Sequence, residues 1–200
     1  MHRLGVTAAL LAFSLFAAPA NAATEIYSIT GTGSGTLNGV SFTDTAFRFT
    51  LTGDPATLSI LGLTSQIDPL TTAVASITGI GAVTFGLPTR LGENNTIIYF
   101  GRSAGFDLFD FALASHVDLV STFGPIPGTG VTALNQFVDV PTSGGNLTFT
   151  RSSNVLFSGL RSEIVPSVPE PGTWIMMLVG FGAVGHSVRR RATALQLRAV

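Results

Sequence analysis

Residues 101–105 read Gly-Arg-Ser-Ala-Gly, the G-x-S-x-G spacing that holds a nucleophilic serine, here Ser103, on a sharp turn. Asp107, Asp110 and His116 follow Ser103 in the chain. A histidine that accepts the serine proton and an acid that orients the histidine would together support acyl transfer. A secreted serine hydrolase using Ser103 with His116 is therefore one interpretation of the sequence.

The neighbouring residues argue against that interpretation. A working serine turn joins a strand of a parallel sheet to a helix, but residues 106–111 have the pattern of a strand. The partners of a catalytic serine also normally lie far from it in the sequence, whereas His116 follows Ser103 closely. We therefore predict no catalytic residue and expect that the protein is not an enzyme.

Acidic side chains offer a second kind of chemistry. Asp107, Asp110 and Asp118 could supply oxygens to calcium, but their spacing matches neither an EF-hand loop nor a Gly-Asp-rich repeat. His116 is the only histidine between residues 23 and 165, and the chain has no cysteine, so ligands for zinc are too few. We predict no metal and no cofactor, and a carbohydrate- or calcium-binding module stays an alternative function.

Charge excludes another class of partner. Residues 23–165 contain five arginines, no lysine and ten acids, which gives this segment a formal charge of −5. Phosphate binding needs clustered cations, so we expect no nucleic acid partner. Without cysteine, an exported domain here must be stabilised by its sheets and its packed apolar side chains.

The elements that would position these residues are strands. From Glu25 onward, apolar residues alternate with polar ones, and Asn38-Gly39 marks a tight hairpin between two such runs. The predicted strands are residues 25–37, 40–51, 57–61, 73–85 with a break near 79–81, 96–100, 106–113, 117–122, 135–140, 147–151 and 155–160. Turns are predicted between them, among others at 93–95 and 125–128. This pattern predicts an all-β, antiparallel β-sandwich-like ectodomain over residues 23–165.

The N-terminus has the pattern of a signal peptide. A short basic start precedes an apolar stretch over residues 4–18, and Ala20 and Ala22 fit a small-x-small cleavage site. We predict a signal peptide over residues 1–22, cleaved after Ala22, with export by the Sec machinery.

A proline-rich linker is predicted over residues 166–172, because three prolines within six positions cannot pair inside a sheet. Residues 173–191 then predict a single transmembrane helix, and residues 192–200 a short cytoplasmic tail. The helix begins near Trp174, an aromatic suited to the membrane interface, and stops at Arg189, Arg190 and Arg191. Its uncharged run, residues 174–188, covers only about 22 Å at 1.5 Å per residue, less than the ~30 Å of a bilayer core.

Glycines inside this helix form a pattern that has two interpretations. Residues 180–185 read G-x-G-x-x-G, which in another context binds dinucleotides. No strand precedes them here, so we interpret them as small residues that let helices approach closely in a membrane. The residues concerned are Gly180, Phe181, Gly182 and Gly185.

The C-terminal region resembles the PEP-CTERM sorting signal in its PEPxxWA-type variety. The residues that carry the resemblance are Val168, Pro169, Glu170, Pro171, Trp174, Met176, Met177, Leu178, Gly180, Phe181, Gly182, Gly185, Arg189, Arg190 and Arg191. The resemblance implies that a membrane-embedded exosortase recognises Pro169, Glu170 and Pro171 and removes the helix. The chain departs from the pattern at Ile175, where alanine is usual, and in its tail beyond the arginines.

Together with the signal peptide and the arginines, the resemblance implies a precursor held in the inner membrane and a mature protein delivered to the cell surface or extracellular matrix of a Gram-negative bacterium. The predicted function is that of a structural protein associated with exopolysaccharide or biofilm. Its predicted partners are exosortase, the Sec machinery, the inner membrane before processing, and exopolysaccharide.

Overall fold

The structure, a computed structural model, describes residues 23–162 and 171–196 of the 200-residue chain. These residues form thirteen strands, one short 3-10 turn and one α-helix. The strands are β1 (Thr24–Leu37), β2 (Val40–Gly53), β3 (Leu58–Leu61), β4 (Thr64–Ile67), β5 (Thr72–Ile77), β6 (Gly81–Thr84), β7 (Thr89–Asn94), β8 (Ile97–Arg102), β9 (Asp107–Ala112), β10 (Phe123–Pro127), β11 (Thr129–Ala133), β12 (Val140–Thr142) and β13 (Gly145–Ser162). The helix is α1 (Pro171–Gln196).

The strands form two antiparallel sheets. In the seven-stranded sheet the order is β10-β13-β1-β2-β5-β6, with β12 paired to β13, and in the six-stranded sheet it is β11-β9-β8-β7-β4-β3. All the ladders are antiparallel. The prediction of an antiparallel, two-sheet, all-β fold is therefore confirmed.

The hairpin between β1 and β2 follows directly from its two turn residues. Asn38 and Gly39 have φ angles of 48° and 80°, and Leu37 pairs with Val40 across the turn. Positive φ at both central residues makes a turn whose twist matches that of the strands it joins. The predicted hairpin is thus present at the predicted residues.

Phenylalanine rings join the two sheets. Phe49 of β2 is fully buried, and its ring lies 5.8 Å from that of Phe100 on β8 and 5.4 Å from that of Phe109 on β9, measured between centroids. Four further rings surround Phe49 within 6.1 Å, namely Phe47, Phe85, Phe137 and Phe149. Because β8 and β9 belong to the other sheet, these contacts show that the sheets pack face to face around an aromatic centre.

Several predicted elements differ from the observed ones. Residues 117–122 are not a strand, because Asp118 bonds back to the next residues, accepting from the backbone N–H of Val120 at 3.0 Å and the Ser121 hydroxyl at 2.8 Å. Residues 147–151 and 155–160 belong to one strand, β13, which continues through a positive φ at Asn154. Most of residues 135–140 lie in loops, with only Val140 in β12.

Four strands were not predicted, namely β4, β7, β10 and β11. β4 and β7 carry polar side chains that interrupt the alternation expected of a strand, and β10 contains two prolines within the turn predicted at residues 125–128. Proline lacks the N–H that a central strand must donate, but β10 pairs only with β13 and lies at the edge of its sheet. An edge position therefore accommodates both prolines.

Helix α1 differs from its predicted bounds. It begins at Pro171, inside the predicted linker, and continues through the arginines as far as Gln196, inside the predicted tail. Proline is well tolerated at a first helical position, and arginine, alanine, leucine and glutamine are good helix formers.

The structure does not confirm the transmembrane helix predicted at residues 173–191. Over residues 23–162 and 171–196, no helix combines the length and the apolar character needed to cross a bilayer. The uncharged part of α1 ends at Arg189, which limits its apolar length. The signal peptide, with Ala20 and Ala22, and the motif residues Pro169 and Glu170 lie outside the described residues.

Candidate functional site

Ser103 lies in a tight hairpin between β8 and β9. The backbone N–H of Arg102 donates to the carbonyl of Phe106 at 3.2 Å, and that of Gly105 donates to the carbonyl of Arg102 at 3.1 Å. Ala104 takes a φ of 52°. This turn joins two antiparallel strands of one sheet, so the G-x-S-x-G residues do not form the strand-to-helix turn of a hydrolase.

Ser103 and His116 have different partners. The hydroxyl of Ser103 donates to Oδ1 of Asp68, whereas Nδ1 of His116 lies 2.6 Å from Oε2 of Glu93. Asp107 instead accepts a hydrogen bond from Arg90, and Asp110 accepts one from Asn135. The contacts of the described residues thus do not assemble the serine, histidine and acid that the hydrolase interpretation requires.

Glu93 is a buried acid that the sequence did not reveal. Its side chain is fully buried, and Oε1 accepts the backbone N–H of Val117 at 3.2 Å. The sequence pattern predicts Glu93 in a turn with two asparagines, but it lies in β7 and the turn follows it. The interaction with His116 and Val117 attaches the loop after β9 to the six-stranded sheet.

A group of polar side chains covers the outer face of the six-stranded sheet, and we call it the polar cluster. Because Phe100 points into the core, its neighbour Tyr99 points to the outer face, where Asp110 lies directly across the ladder. Asp107 pairs with Gly101 after an irregularity in the β8–β9 register. The cluster consists of Gln66, Arg90, Tyr99, Asp107, Asp110 and Asn135.

Hydrogen bonds and one cation-π contact connect these side chains. Nη2 of Arg90 lies 3.0 Å from Oδ1 of Asp107, and its guanidinium carbon lies 5.6 Å from the centre of the Tyr99 ring. The hydroxyl of Tyr99 donates to Oε1 of Gln66 at 3.1 Å. The side-chain amide of Asn135 donates to Oδ2 of Asp110 at 2.5 Å. Most of the polar groups therefore bond to one another, which favours a structural role for the cluster.

Asp110 and Arg90 each have one buried polar atom without a hydrogen-bond partner among the described residues, Oδ1 of Asp110 and Nε of Arg90. The pKa of Asp110 is raised from 3.8 to about 6, chiefly by burial and also by the neighbouring charge of Asp107, while the bond from Asn135 and the charge of Arg90 oppose the rise. Because its pKa is raised, this carboxyl keeps its proton up to a higher pH in the folded chain than in the unfolded chain.

This preference predicts a pH dependence of stability. The folded pKa of Asp110 exceeds the unfolded one, so its contribution to stability is present below about pH 4 and is lost as the pH rises through about 6. We expect Asp110→Asn to raise the free energy of unfolding at pH 7 by about 1 kcal/mol, a value reduced for the partial exposure of the group.

Urea unfolding at several pH values tests this expectation. Between pH 4 and 7, the difference between Asp110→Asn and the wild-type chain should grow with pH. Asp139→Asn is the matched control, because Asp139 is exposed and asparagine tolerates its φ of 50°. An Asp110→Asn chain whose stability follows the wild-type pH profile would contradict the role of this carboxyl.

The acids predicted as possible calcium ligands do not converge. Asp107 pairs with Arg90, and Asp110 accepts a hydrogen bond from Asn135. Asp118 accepts hydrogen bonds from the residues of its own turn, and these bonds lower its pKa. In residues 23–162 and 171–196, no three histidine, cysteine, aspartate or glutamate side chains are grouped so as to hold a metal ion.

The remaining candidate is the C-terminal motif. Helix α1 starts at Pro171, the last residue of the triplet Pro169-Glu170-Pro171, and includes Trp174 and the glycines at 180, 182 and 185. The side chains of Ile175 to Val179 are exposed on α1. Residues 167–192 match the PEP-CTERM protein-sorting motif. No curated protein and no solved structure matches the chain.

The PEP-CTERM match confirms the resemblance recognised in the sequence. It covers the triplet, Trp174 and the three arginines, and it ends just after them. The motif is typical of exported proteins that exosortase sorts, and the match is consistent with an exosortase substrate. The domain of residues 23–162 lies outside the match.

Proposed function

We propose that this protein is a non-enzymatic component of the cell surface or extracellular matrix, where it associates with exopolysaccharide. The observation that carries the proposal is the PEP-CTERM motif at residues 167–192, which directs export and sorting. In this scheme Sec exports the chain, the signal peptide is removed after Ala22, and the precursor is held at the inner membrane. Exosortase then separates the β domain from its C-terminal helix.

The architecture of the domain supports a structural role. Its two sheets enclose one apolar core that needs no disulfide, and the six-stranded sheet is covered by side chains that bond to one another. Such a domain stays folded outside the cell under oxidising or reducing conditions, because sheet hydrogen bonds and buried apolar area do not depend on redox conditions.

Contacts within the domain also support the proposal that it is not an enzyme. Ser103 donates to Asp68, and His116 pairs with Glu93 at 2.6 Å, so each potential catalytic group is engaged with a separate acid. A general base must lie within hydrogen-bond reach of the proton that it removes. These separate pairings favour a scaffold over a hydrolase.

Cell fractionation tests the proposed location. In wild-type cells, we expect the processed chain in the matrix or surface fraction, and in a mutant that makes no exopolysaccharide we expect most of it in the medium. The control is a second exported protein without a PEP-CTERM motif, whose distribution should be the same in both strains. A processed chain that distributes identically with and without the polymer would contradict the association with exopolysaccharide.

A further inference from the structure

The outer face of the seven-stranded sheet contains an open groove of about 900 Å³. Its floor is a row of residues that lie side by side on neighbouring strands, because Leu156 pairs with Thr30, Thr30 with Arg48, and Arg48 with Ser76. The row therefore crosses β13, β1, β2 and β5. Strands lie about 4.8 Å apart, so the floor is roughly 14 Å long.

Two irregular segments form the sides of this groove. On one side, the turn at residues 78–81 follows β5, with Gly79 at a φ of 78°. On the other side, Asn154 takes a φ of 53° within β13. Both segments line the groove: the turn joins β5 to β6, and the positive φ of Asn154 interrupts the regular backbone of β13.

The groove has one charge and many neutral polar groups. Arg48 is exposed and is the single charged side chain among the residues that line it, and no ion pair within residues 23–162 involves it. Five lining side chains carry a hydroxyl or amide group, namely Thr30, Thr32, Ser76, Thr78 and Asn154, and apart from Arg48 the other lining residues are apolar side chains, such as Phe47, Ile77, Ile80 and Leu156, or glycines. The domain has a formal charge of −5, yet this groove contains an unpaired guanidinium and no acidic side chain among its lining residues.

This chemistry specifies a type of ligand. An unpaired arginine favours a carboxylate or a similar anion, because the planar guanidinium donates two parallel hydrogen bonds to it. Hydroxyl groups on both sides of the arginine donate to and accept from the hydroxyls of a sugar. A small anion would use the arginine alone, whereas a chain rich in hydroxyls with widely spaced carboxylates would also use the hydroxyl groups of Thr30 and Ser76 on either side of it.

We propose that this groove binds an acidic glycan, a polyhydroxylated chain whose carboxylate lies on Arg48 and whose hydroxyls contact the threonine and serine side chains of the floor. The proposal deepens and rests on the proposed function, because it names the type of exopolysaccharide that the domain would hold. Leu156, which lies beside Thr30 and is 40% exposed, supplies an apolar surface for the face of a sugar ring.

Binding of the purified full-length chain to polygalacturonate tests the proposal. The matched polymer is fully methyl-esterified polygalacturonate, which keeps the hydroxyls and the backbone but has no carboxylate charge. At low salt, we expect the acidic polymer to bind at least tenfold more tightly than the ester, and we expect this preference to shrink as salt screens the charge. Equal affinity for the two polymers would overturn the proposal.

Variants assign the binding to the groove. Arg48→Ala should weaken binding to polygalacturonate at least tenfold, and Arg48→Lys should keep part of it because lysine retains the charge without the fork of donors. Arg151→Ala is the matched control, since Arg151 is an exposed arginine that pairs with Asp44 and does not line the groove. Equal losses for Arg48→Ala and Arg151→Ala would show a nonspecific charge effect and overturn the proposal.

Two further results separate the alternatives. Thr30→Val keeps the shape of the side chain but removes its hydroxyl, and it should weaken binding severalfold. If acetate at the same carboxylate concentration displaced the polymer fully, the groove would be an anion site without glycan recognition, and the proposal would fail. A chain that is retained in the matrix but binds no polygalacturonate would contradict this inference and leave the proposed function standing.

Discussion

Replacing Phe49 with alanine is expected to lower the free energy of unfolding by about 3–5 kcal/mol, the range for removing a large buried aromatic side chain. Phe49 is fully buried, and six other phenylalanine rings surround it, including two from the opposite sheet. The smaller side chain would leave a cavity at the centre of the sandwich, and the surrounding rings could fill it only in part. Domains of this size are stable by only about 5–15 kcal/mol, so the loss is a large fraction of the total.

Urea unfolding followed by far-ultraviolet circular dichroism measures this effect without depending on Trp174, which lies in the helix. Phe106→Ala is the matched control, because Phe106 is 67% exposed in the turn between β8 and β9, and it should change stability by less than about 0.5 kcal/mol. Phe49→Leu, which keeps most of the volume, should fall between the two. A Phe49→Ala chain as stable as Phe106→Ala would contradict the packing of the two sheets around this ring.

Replacing Pro169, Glu170 and Pro171 together with alanine is expected to abolish exosortase processing. The triplet lies within the matched motif, and it is the part of the motif that the enzyme is expected to recognise. We expect at least a tenfold fall in the processed form, with a precursor that keeps its C-terminal residues accumulating in the inner membrane fraction. Intact-mass measurement distinguishes the two forms, since the processed chain should end near Pro169 to Pro171.

Pro166→Ala gives this experiment a matched control. It removes a proline of the same segment but lies just before the matched residues 167–192, so processing should continue at the wild-type level. A strain without exosortase should reproduce the result of the triple substitution in the unaltered chain. Normal processing of the triple variant, or an intact Val200 terminus in wild-type cells, would contradict the sorting scheme.

Local signals in the sequence predicted the parts of the fold that local chemistry determines. The β1–β2 hairpin depends on Asn38 and Gly39, whose preference for positive φ is a property of those two residues. The same holds for the break near residues 79–81, where Gly79 and Gly81 end β5 and begin β6. The motif at residues 167–192 was also recognised, because it is a short ordered set of residues.

Strands that depend on distant partners were not predicted. β10 forms because it pairs with β13, and no pattern within residues 123–127 predicts this pairing. β7 was missed because Gly92 and Glu93 interrupt its apolar pattern, yet Tyr99 covers Gly92 and the loop after β9 supplies partners for Glu93. In the same way, the groove at Arg48 arises from the ladders that join β13, β1, β2 and β5, and β13 is far in the sequence from the other three strands.

The pairing of β1 with β13 has a consequence for the order of events during export. Thr24 pairs with Ser162, so the first and last strands of the domain are neighbours in the middle of one sheet. A chain that emerges with its N-terminus first must hold β1 partly unpaired until almost the entire domain has followed, because the closing contacts are the most distant in the sequence. Folding is then a late step of delivery. Until it is complete, β1 has an open edge that can pair with another chain.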